Sequence, residues 1–257
     1  KEYCSPGQAE SLDGGDPMLR SMRRFSLLLA AFIIFFSQIS GAEVRLSGVG
    51  KQLSGHTFVG VRLCDLRLAD TVIRDMVFED VVAGGAHFRN IIFENCRFSR
   101  VDLSHSTFEN VVFRNCALES GKNADDTLVL TTFEGSSMKD VLFEQSRLYR
   151  VRLAELQGAG GKVSFKKMTD IVPEENYGLL LSGQELRICV EDSQISGGKI
   201  KIHMAEKNKS FLIARNSIFS RFSVYCDAIF MQNCTIADSR LGAAELIVRD
   251  SSLSGAE

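Results

Sequence analysis

The stretch that decides the fold is FENCRFSRVDLSHSTFENVVFRNCALES, residues 93–120, in which a large apolar residue returns at every fifth position. The positions are Phe93, Phe98, Leu103, Phe108, Phe113 and Leu118. An α-helix has a period of about 3.6 residues and a β-strand a period of about 2, so neither explains this spacing. The repeat therefore requires a backbone other than an isolated helix or strand.

The same spacing continues outward from this stretch, from residue 58 to residue 153. Eighteen of the twenty positions are Leu, Ile, Phe or Met, and the exceptions are Ala83 and Asn123. Every Phe between residues 54 and 153 falls on these positions, whereas a chance core would scatter its Phe residues over all five registers. We expect the structural core to contain Phe58, Leu63, Leu68, Ile73, Phe78, Phe88, Phe93, Phe98, Leu103, Phe108, Phe113, Leu118, Phe133, Phe143, Leu148 and Leu153.

A second, smaller set of residues lies two positions before the large ones. It is rich in Val, Ala, Ser, Thr and Cys, and the other three positions of each five are mostly charged or polar. This pattern resembles the pentapeptide-repeat family over residues 54–153. It departs from the usual motif because the residue just before the large one is seldom Asp or Asn. The Asx residues instead follow the large one by two places, at Asp65, Asp70, Asp75, Asp80, Asn90, Asn95, Asn110 and Asn115.

The resemblance implies an all-β fold, a right-handed quadrilateral parallel β-helix in which four five-residue faces make one coil of twenty residues. The sequence supports this coil length independently, because the decapeptides that begin at residues 71, 91 and 111 are TVIRDMVFED, IIFENCRFSR and VVFRNCALES. Successive coils of such a solenoid hydrogen-bond at about 4.8 Å. Repeats of this kind bury their core only by stacking, so several coils are needed.

One polar, turn-rich break interrupts the lattice, SGKNADDT at residues 120–127. Two interpretations are open: a distorted half coil, or a ten-residue loop that points outward. The decapeptide VLFEQSRLYR at residue 141 matches VVFRNCALES at residue 111 with a spacing of thirty instead of twenty. This spacing favours the loop.

After the repeat region 43–153 the regular spacing is lost. Residues 154–180 contain several Gly residues, Pro173 and mixed charge, which predicts an irregular insertion or linker. In residues 181–257 the segments ICVEDSQI, LIARNSIF, IFMQNCTI and LIVRDSSL keep the alternation of the coil motif, with Asx spacings of 24, 17 and 17. These spacings predict degenerate coils that continue the solenoid less regularly. A second, unrelated β domain is the alternative.

Residues 18–42 have the pattern of a secretory signal peptide. Three arginines precede an apolar stretch of twelve residues, and a small-x-small cleavage site ends at Ala42. A spanning helix needs roughly twenty apolar residues, so we expect no stable membrane span after cleavage. Residues 1–17 would precede a start at Met18 or Met22, as upstream read-through or sequence added for expression. The mature protein is therefore expected to be exported, either periplasmic or secreted.

Six cysteines would remain after cleavage, an even number that permits disulfides in an exported protein. Cys96 and Cys116 would lie one coil apart, at about 4.8 Å, which is inside the disulfide range. We interpret them instead as buried free thiols that fill small-residue sites. The cysteines and the four histidines show no metal-ligand spacing, so we expect no metal site and no cofactor.

Composition and charge favour a binding module over other functions. The chain has 257 residues, a hydrophobic content of 45% and a net charge of −2, with acids and bases interspersed. The sequence contains no basic tract of the kind that binds nucleic acid, so we expect no nucleic-acid partner. We expect a non-enzymatic scaffold whose flat β-helix faces bind a protein or a cell-envelope polymer. The candidate interaction face carries Arg89, Glu94, Glu109 and Arg114.

Two other functions are weighed against this expectation. The resemblance implies a DNA-mimicking protein that binds gyrase or topoisomerase. Export would separate the protein from these cytoplasmic enzymes, and a net charge of −2 is a poor match to the charge density of duplex DNA. A carbohydrate-active β-helix enzyme would need aligned carboxylates or basic residues in a groove. The sequence nominates no catalytic residue for such an enzyme.

Overall fold

The structure, a computed structural model, describes residues 43–49, 52–157, 161–168, 179–184, 186–203 and 210–255. The expected upstream segment 1–17 and the expected signal peptide 18–42 lie outside the described residues. Regular secondary structure in the described ranges is β-strand. None of the described residues belongs to a helix long and apolar enough to cross a membrane.

Twenty-three strands follow one another along the described parts of the chain. Those of the first part are β1 (Glu43–Val49), β2 (Gln52–Ser54), β3 (Thr57–Val59), β4 (Arg62–Arg74), β5 (Val77–Glu79), β6 (His87–Glu94), β7 (Arg97–Ser99), β8 (Thr107–Arg114), β9 (Ala117–Glu119), β10 (Gly121–Lys122), β11 (Leu128–Val129), β12 (Ser137–Glu144) and β13 (Arg147–Tyr149). Those of the second part are β14 (Arg152–Gln157), β15 (Lys162–Lys166), β16 (Leu179–Gln184), β17 (Arg187–Glu191), β18 (Gln194–His203), β19 (Phe211–Arg215), β20 (Ile218–Gln232), β21 (Thr235–Ala237), β22 (Arg240–Arg249) and β23 (Ser252–Ser254).

Strand pairing over the regular repeat gives a solenoid with four faces per coil. We name the faces by the interior residues of one coil: face A contains Phe88, face B Phe93, face C Phe98 and face D Leu103. Strands β4, β6, β8 and β12 are parallel neighbours and cover faces A and B. Face C is the parallel sheet of β3, β5, β7, β9 and β13, and single bridges join the coils on face D. The predicted parallel β-helix is confirmed.

Stacked aromatic rings fill the interior. Each of the sixteen side chains expected in the core is at most 9% exposed. On face B the rings of Phe93 and Phe113 lie 5.0 Å apart and nearly parallel, and the next ring, Phe143, lies 4.9 Å from Phe113. Rings on neighbouring faces meet edge to face, as Phe93 and Phe98 do at 5.3 Å. Pairs of these two kinds contribute about 0.5–1.5 kcal/mol each beyond their buried area.

The smaller interior positions also satisfy backbone groups at the corners. Ser136 Oγ donates to the carbonyl oxygen of Leu103 at 2.9 Å and accepts a bond from the N–H of Ser106 at 3.0 Å. Ser146 Oγ makes the equivalent pair of bonds at another corner. A hydroxyl therefore fits a site that is too small for a large side chain, and it pairs polar groups that would otherwise be buried without partners.

Residues with left-handed backbone conformation form the corners. The φ angles of Asp75, Asn95 and Asn115 are 53°, 55° and 51°. Asn and Asp adopt this conformation at lower cost than other residues with a Cβ, which explains why Asx follows the large residue by two places. Their side chains also form a ladder, in which Asn115 Nδ2 donates to Asn95 Oδ1 at 2.7 Å and Asn95 Nδ2 donates to Asp75 Oδ1 at 3.1 Å.

Replacing Asn115 with Val should lower the free energy of unfolding by about 2 kcal/mol, because a β-branched residue is strained at positive φ. Asn115→Gly also loses the ladder bond but adopts this φ freely, so its cost should stay below about 1 kcal/mol. Urea unfolding measures both values, and Thr107→Val, at an outward strand position, is the control. Equal losses for the Val and Gly variants would show that the corner conformation is not the main contribution.

The polar break forms an outward hairpin. Strands β8 and β12 pair at a spacing of thirty residues, and the ten extra residues contain the antiparallel pair β10 and β11. Ser120 and Thr131 close the base of the hairpin, since the N–H of Thr131 donates to Ser120 Oγ at 2.8 Å. The loop interpretation is confirmed. Leu128, which falls on the fivefold lattice in sequence, lies in this hairpin and is 38% exposed.

Over part of residues 154–180 the structure differs from the expected insertion. Strand β14 continues to residue 157, and β15 pairs in parallel with β12, placing Phe165 on Phe143 at a ring distance of 5.3 Å. Val141 pairs with Val163, and Val163 pairs with Ile188. The numbers of residues between these paired positions are unequal and exceed the twenty of a regular coil, so the fivefold register is lost. Residues 158–160 and 169–178 lie outside the described ranges.

The C-terminal coils belong to the same solenoid but have three sides. The sheet runs without interruption from β12 through β15, β17 and β19 to β20, so a separate β domain is excluded. Strand β19 pairs with β20 so that Ile213 lies beside Phe230, and β20 pairs with β22 so that Phe230 lies beside Ile247. In both pairings the partners are separated by fewer residues than the twenty of a regular coil. Each of these coils contains three strand segments and so has one face fewer. The predicted less regular continuation is confirmed.

Candidate interaction face

The outward side of face B carries a column of alternating charge. Its members are cross-strand neighbours in successive coils: Arg74, Glu94, Arg114, Glu144, Lys166, Glu191 and Arg215. Glu94 Oε2 lies 2.6 Å from Arg74 Nε, and Glu144 Oε2 lies 2.9 Å from Arg114 Nε. These side chains are partly exposed, so each pair contributes little alone. The alternation nevertheless prevents like charges from stacking on one another, which would destabilise the sheet.

A column of mostly apolar side chains runs beside the charges on the same face. Its members are paired in register and are all partly exposed: Val72, Ile92, Val112, Leu142, Ser164, Cys189, Ile213, Phe230 and Ile247. Eight steps at the strand spacing give the column a length of about 38 Å. Face B therefore presents a narrow apolar strip to solvent along almost the whole described solenoid.

Sequence reasoning missed this apolar column. The outward positions of each five are expected to be polar, yet Val72, Ile92, Val112 and Leu142 are the middle residues of the tripeptides TVI, IIF, VVF and VLF. Their inward neighbours are the small and the large interior residues, so each tripeptide reads as part of the core. The apolar column could have been found from the middle residue of each tripeptide, which is apolar although its two neighbours in sequence already fill the interior.

The four residues expected on one interaction face lie on two faces. Glu94 and Arg114 belong to the charge column of face B, whereas Arg89 and Glu109 are cross-strand neighbours on face A. The chain turns between the two sets at the left-handed residue Asn90 and its counterpart in the next coil. This corrects the expectation of a single face, which depended on knowing where the corners fall.

A second group of charges gathers around Arg100, at the corner between faces C and D. Arg100 Nε lies 2.6 Å from Asp80 Oδ1, and Arg100 Nη2 lies 2.6 Å from Glu79 Oε1. Hydrogen bonds to Asp80 and, less strongly, to Glu79 raise the pKa of Arg100. The Arg100 side chain is only 15% exposed, and its guanidinium is paired with carboxylates of the preceding coil. It therefore joins two coils and is poorly placed to bind a ligand.

The five cysteines whose side chains are described are free thiols. Cys96 and Cys116 are buried in small-residue sites, as expected, and Cys116 Sγ donates to the carbonyl oxygen of Phe93 at 3.4 Å. The hydrogen bond with Cys96 raises the pKa of Cys116, and burial raises the pKa of Cys226 to about 11. Cys116 and Cys226 are therefore protonated at neutral pH and suit packing better than nucleophilic chemistry.

Many of the charged groups on the other outer surfaces are engaged in ion pairs. Glu109 Oε1 lies 3.3 Å from Lys139 Nζ on face A, and Glu134 Oε1 lies 3.1 Å from Arg152 Nη2. In the described ranges, no group of three or more His, Cys, Asp and Glu side chains is placed to hold a metal ion. The charge column of face B is paired in the same way, so the exposed apolar column is the feature that distinguishes face B.

Replacing Glu94 with Lys should lower the free energy of unfolding by about 1 kcal/mol at low salt, because three cations would then occupy neighbouring coils. The loss should shrink in high salt, since screening weakens interactions between exposed charges. Glu94→Gln, the matched neutral variant, should change the free energy by less than about 0.5 kcal/mol. Urea unfolding at two salt concentrations measures these values. Equal losses for the Lys and Gln variants would contradict the electrostatic account of the column.

Comparison with known families places the repeat in a named group. Residues 73–117 match the family model described as pentapeptide repeats (9 copies). No curated protein sequence matches the chain. Together with the strand pairing, the family match confirms the pentapeptide-repeat resemblance for this part of the solenoid.

Several solved structures have a similar chain path. One is HetL, a pentapeptide repeat protein involved in heterocyst differentiation regulation from the cyanobacterium Nostoc sp. strain PCC 7120, with 11% identity, coverage of 90% of this chain and 92% of HetL, and a TM-score of 0.48. QnrB1, a plasmid-mediated fluoroquinolone resistance protein, has 12% identity, coverage of 79% and 93%, and a TM-score of 0.39. The A-module of the Azotobacter vinelandii mannuronan C-5 epimerase AlgE4 has 10% identity, coverage of 83% and 82%, and a TM-score of 0.30. The fold assignment itself depends on the strand pairing described above.

Proposed function

We propose that this chain is an exported, non-enzymatic pentapeptide-repeat scaffold that binds another protein through face B. The observation that carries the proposal is the mostly apolar column, which exposes side chains such as Ile92, Val112 and Leu142 on consecutive coils. Soluble monomers rarely expose long continuous apolar patches, and such patches commonly mark interaction sites. A partner that covers the strip would remove this surface from water.

The rigidity of face B supports a binding role. Its side chains project from strands that are hydrogen-bonded to both neighbours and packed on stacked rings. Little conformational entropy is lost when such a surface is covered, so more of the contact energy remains for affinity. A scaffold of this kind needs no deep cavity.

The charge column suits orientation of a partner better than imitation of DNA. Duplex DNA carries one negative charge per roughly 1.7 Å of its axis. The column on face B alternates in sign, and its seven members comprise four bases and three acids. Charges of alternating sign beside an apolar strip fix the register of a protein partner and disfavour wrong partners.

The carbohydrate-active alternative is weaker than the binding role. Glu94, Glu144 and Glu191 on face B each lie within 4 Å of a basic side chain. Catalysis by such an enzyme needs carboxylates that can act as acid and base on a bound sugar. Their pairing favours a structural role for these carboxylates in the column.

A photo-reactive benzoylphenylalanine at position 112 should cross-link a protein in an extract of the organism that produces this chain. The same group at position 82 should not, although Val82 on face D is 40% exposed. Ile92→Ser combined with Leu142→Ser should reduce the cross-link at position 112 at least fivefold, because it interrupts the apolar strip on both sides. Mass spectrometry of the adduct identifies the partner.

Two results would contradict binding through face B. One is equal cross-linking from positions 82 and 112, which would indicate adhesion without a preferred face. The other is capture of an envelope polysaccharide without protein, which would replace the protein partner by a polymer. Thermal unfolding of each variant shows that its solenoid is intact.

The export part of the proposal rests on residues 18–42. Cleavage after Ala42 would leave a chain that begins at Glu43, the first residue of β1, so the described strands would be retained. A chain with a C-terminal tag should be recovered outside the cytoplasm with Glu43 at its N-terminus. Deletion of residues 18–42 should retain it in the cytoplasm. Cytoplasmic recovery of the unprocessed chain would contradict export and leave the binding proposal intact.

A further inference from the structure

The C-terminal end of face B contains a shallow groove of about 330 Å³. Ile213, Phe230 and Ile247 line it, and they are the last three members of the apolar column. All three side chains are partly exposed and project from β19, β20 and β22.

The alternation of acidic and basic residues in the charge column ends beside this groove. After Arg215 the next members are Gln232 and Arg249, so the alternation with acids ends. Arg215, Gln232 and Arg249 are exposed and line the groove. Among the described residues, neither arginine forms an ion pair within 4 Å, whereas Glu191 in the preceding coil is paired with Lys166 at 3.3 Å. The groove therefore has a basic edge, and Glu191, the cross-strand neighbour of Arg215, does not line it.

We propose that this groove binds an extended acidic peptide segment of a partner protein, an inference that rests on the proposed function. Arg215 and Arg249 lie two strand steps apart, about 9.6 Å. A peptide in the polyproline II conformation has three residues per turn and a rise of about 3.1 Å per residue, so its side chains i and i+3 lie on the same side about 9.3 Å apart. Such a peptide, running along the solenoid axis with carboxylates at positions i and i+3, would pair with both arginines. Its intervening apolar side chains would pack on Phe230 and the two isoleucines.

A second copy of this chain fits the groove less well. A two-fold axis through the centre of the groove would bring Arg215 of one copy opposite Arg249 of the other. That contact would stack cations on cations, which costs free energy. Charge complementarity instead favours a partner that supplies carboxylates. The aliphatic side chains Ile213 and Ile247 favour apolar side chains over sugar hydroxyls between those carboxylates.

The test uses the chain from residue 43 and a fluorescent peptide of sequence Glu-Leu-Phe-Glu-Leu-Phe-Glu, whose carboxylates are three residues apart. Fluorescence anisotropy should show saturable binding that weakens as salt is raised. The double variant Arg215→Ala, Arg249→Ala should weaken binding at least tenfold, and Phe230→Ser by a similar factor. The control Arg187→Ala, Arg221→Ala removes two exposed arginines that do not line the groove and should bind like the parent.

Two further peptides separate charge from apolar contact. Replacing every Glu with Lys, or every Leu and Phe with Ser, should abolish binding. Unchanged affinity in the Arg215 and Arg249 double variant would overturn the inference, and so would binding of polygalacturonate in place of the peptide. If position 112 cross-links a protein while the acidic peptide fails to bind, face B still binds a partner and only this inference is wrong. Failure of both experiments would remove the proposed function as well.

Discussion

The solenoid depends on a left-handed residue two places after most of its large side chains. This backbone conformation turns the chain by one face, so the large residue of the next five again points inward. Asn and Asp adopt it at lower cost than other residues with a side chain, and their amides bond along the corner from coil to coil. The aromatic stacks, the register of the strands and the flatness of the faces all follow from corners placed at equal intervals.

The interior could be predicted from sequence because it has one period. Phe93, Phe98 and Phe108 fall on a spacing that neither helix nor strand explains, and the structure buries all three. The outward hairpin was also predictable, because the decapeptides that begin at residues 111 and 141 are similar although the polar break lies between them, and they pair as neighbouring coils. Both features are periodic properties of a single sequence.

The outer surface was harder to predict, since it depends on where corners fall and on which outward residues share a face. Arg89 and Glu94 are five residues apart and both point outward, yet the corner at Asn90 puts them on different faces. Ile92 looked like core because Ile91 and Phe93 on either side of it are buried. The Asx spacing of 17 residues in the C-terminal coils was visible in the sequence, but it took the strand pairing of β19 with β20 and of β20 with β22 to show that this spacing means one face fewer.

Interior and exterior of this molecule are under separate constraints. Inward positions are limited by volume, and corners by backbone conformation, but the outward position of Ile92 or Val112 is limited by neither. An apolar residue repeated there over successive coils is therefore informative about a partner, because the fold does not require it. The stack supplies a rigid support, and the outward columns of face B supply the chemistry.

The hairpin of β10 and β11 shows how such a stack can change length. Ten residues leave the coil and return at Ser120 and Thr131, and the strands on either side pair as though nothing had been added. The hairpin leaves from the corner between faces C and D, which does not border face B. Chain growth at that corner is thus a route by which relatives of this molecule can acquire new appendages, or an engineer can install a tag, without redrawing the surface that meets a partner.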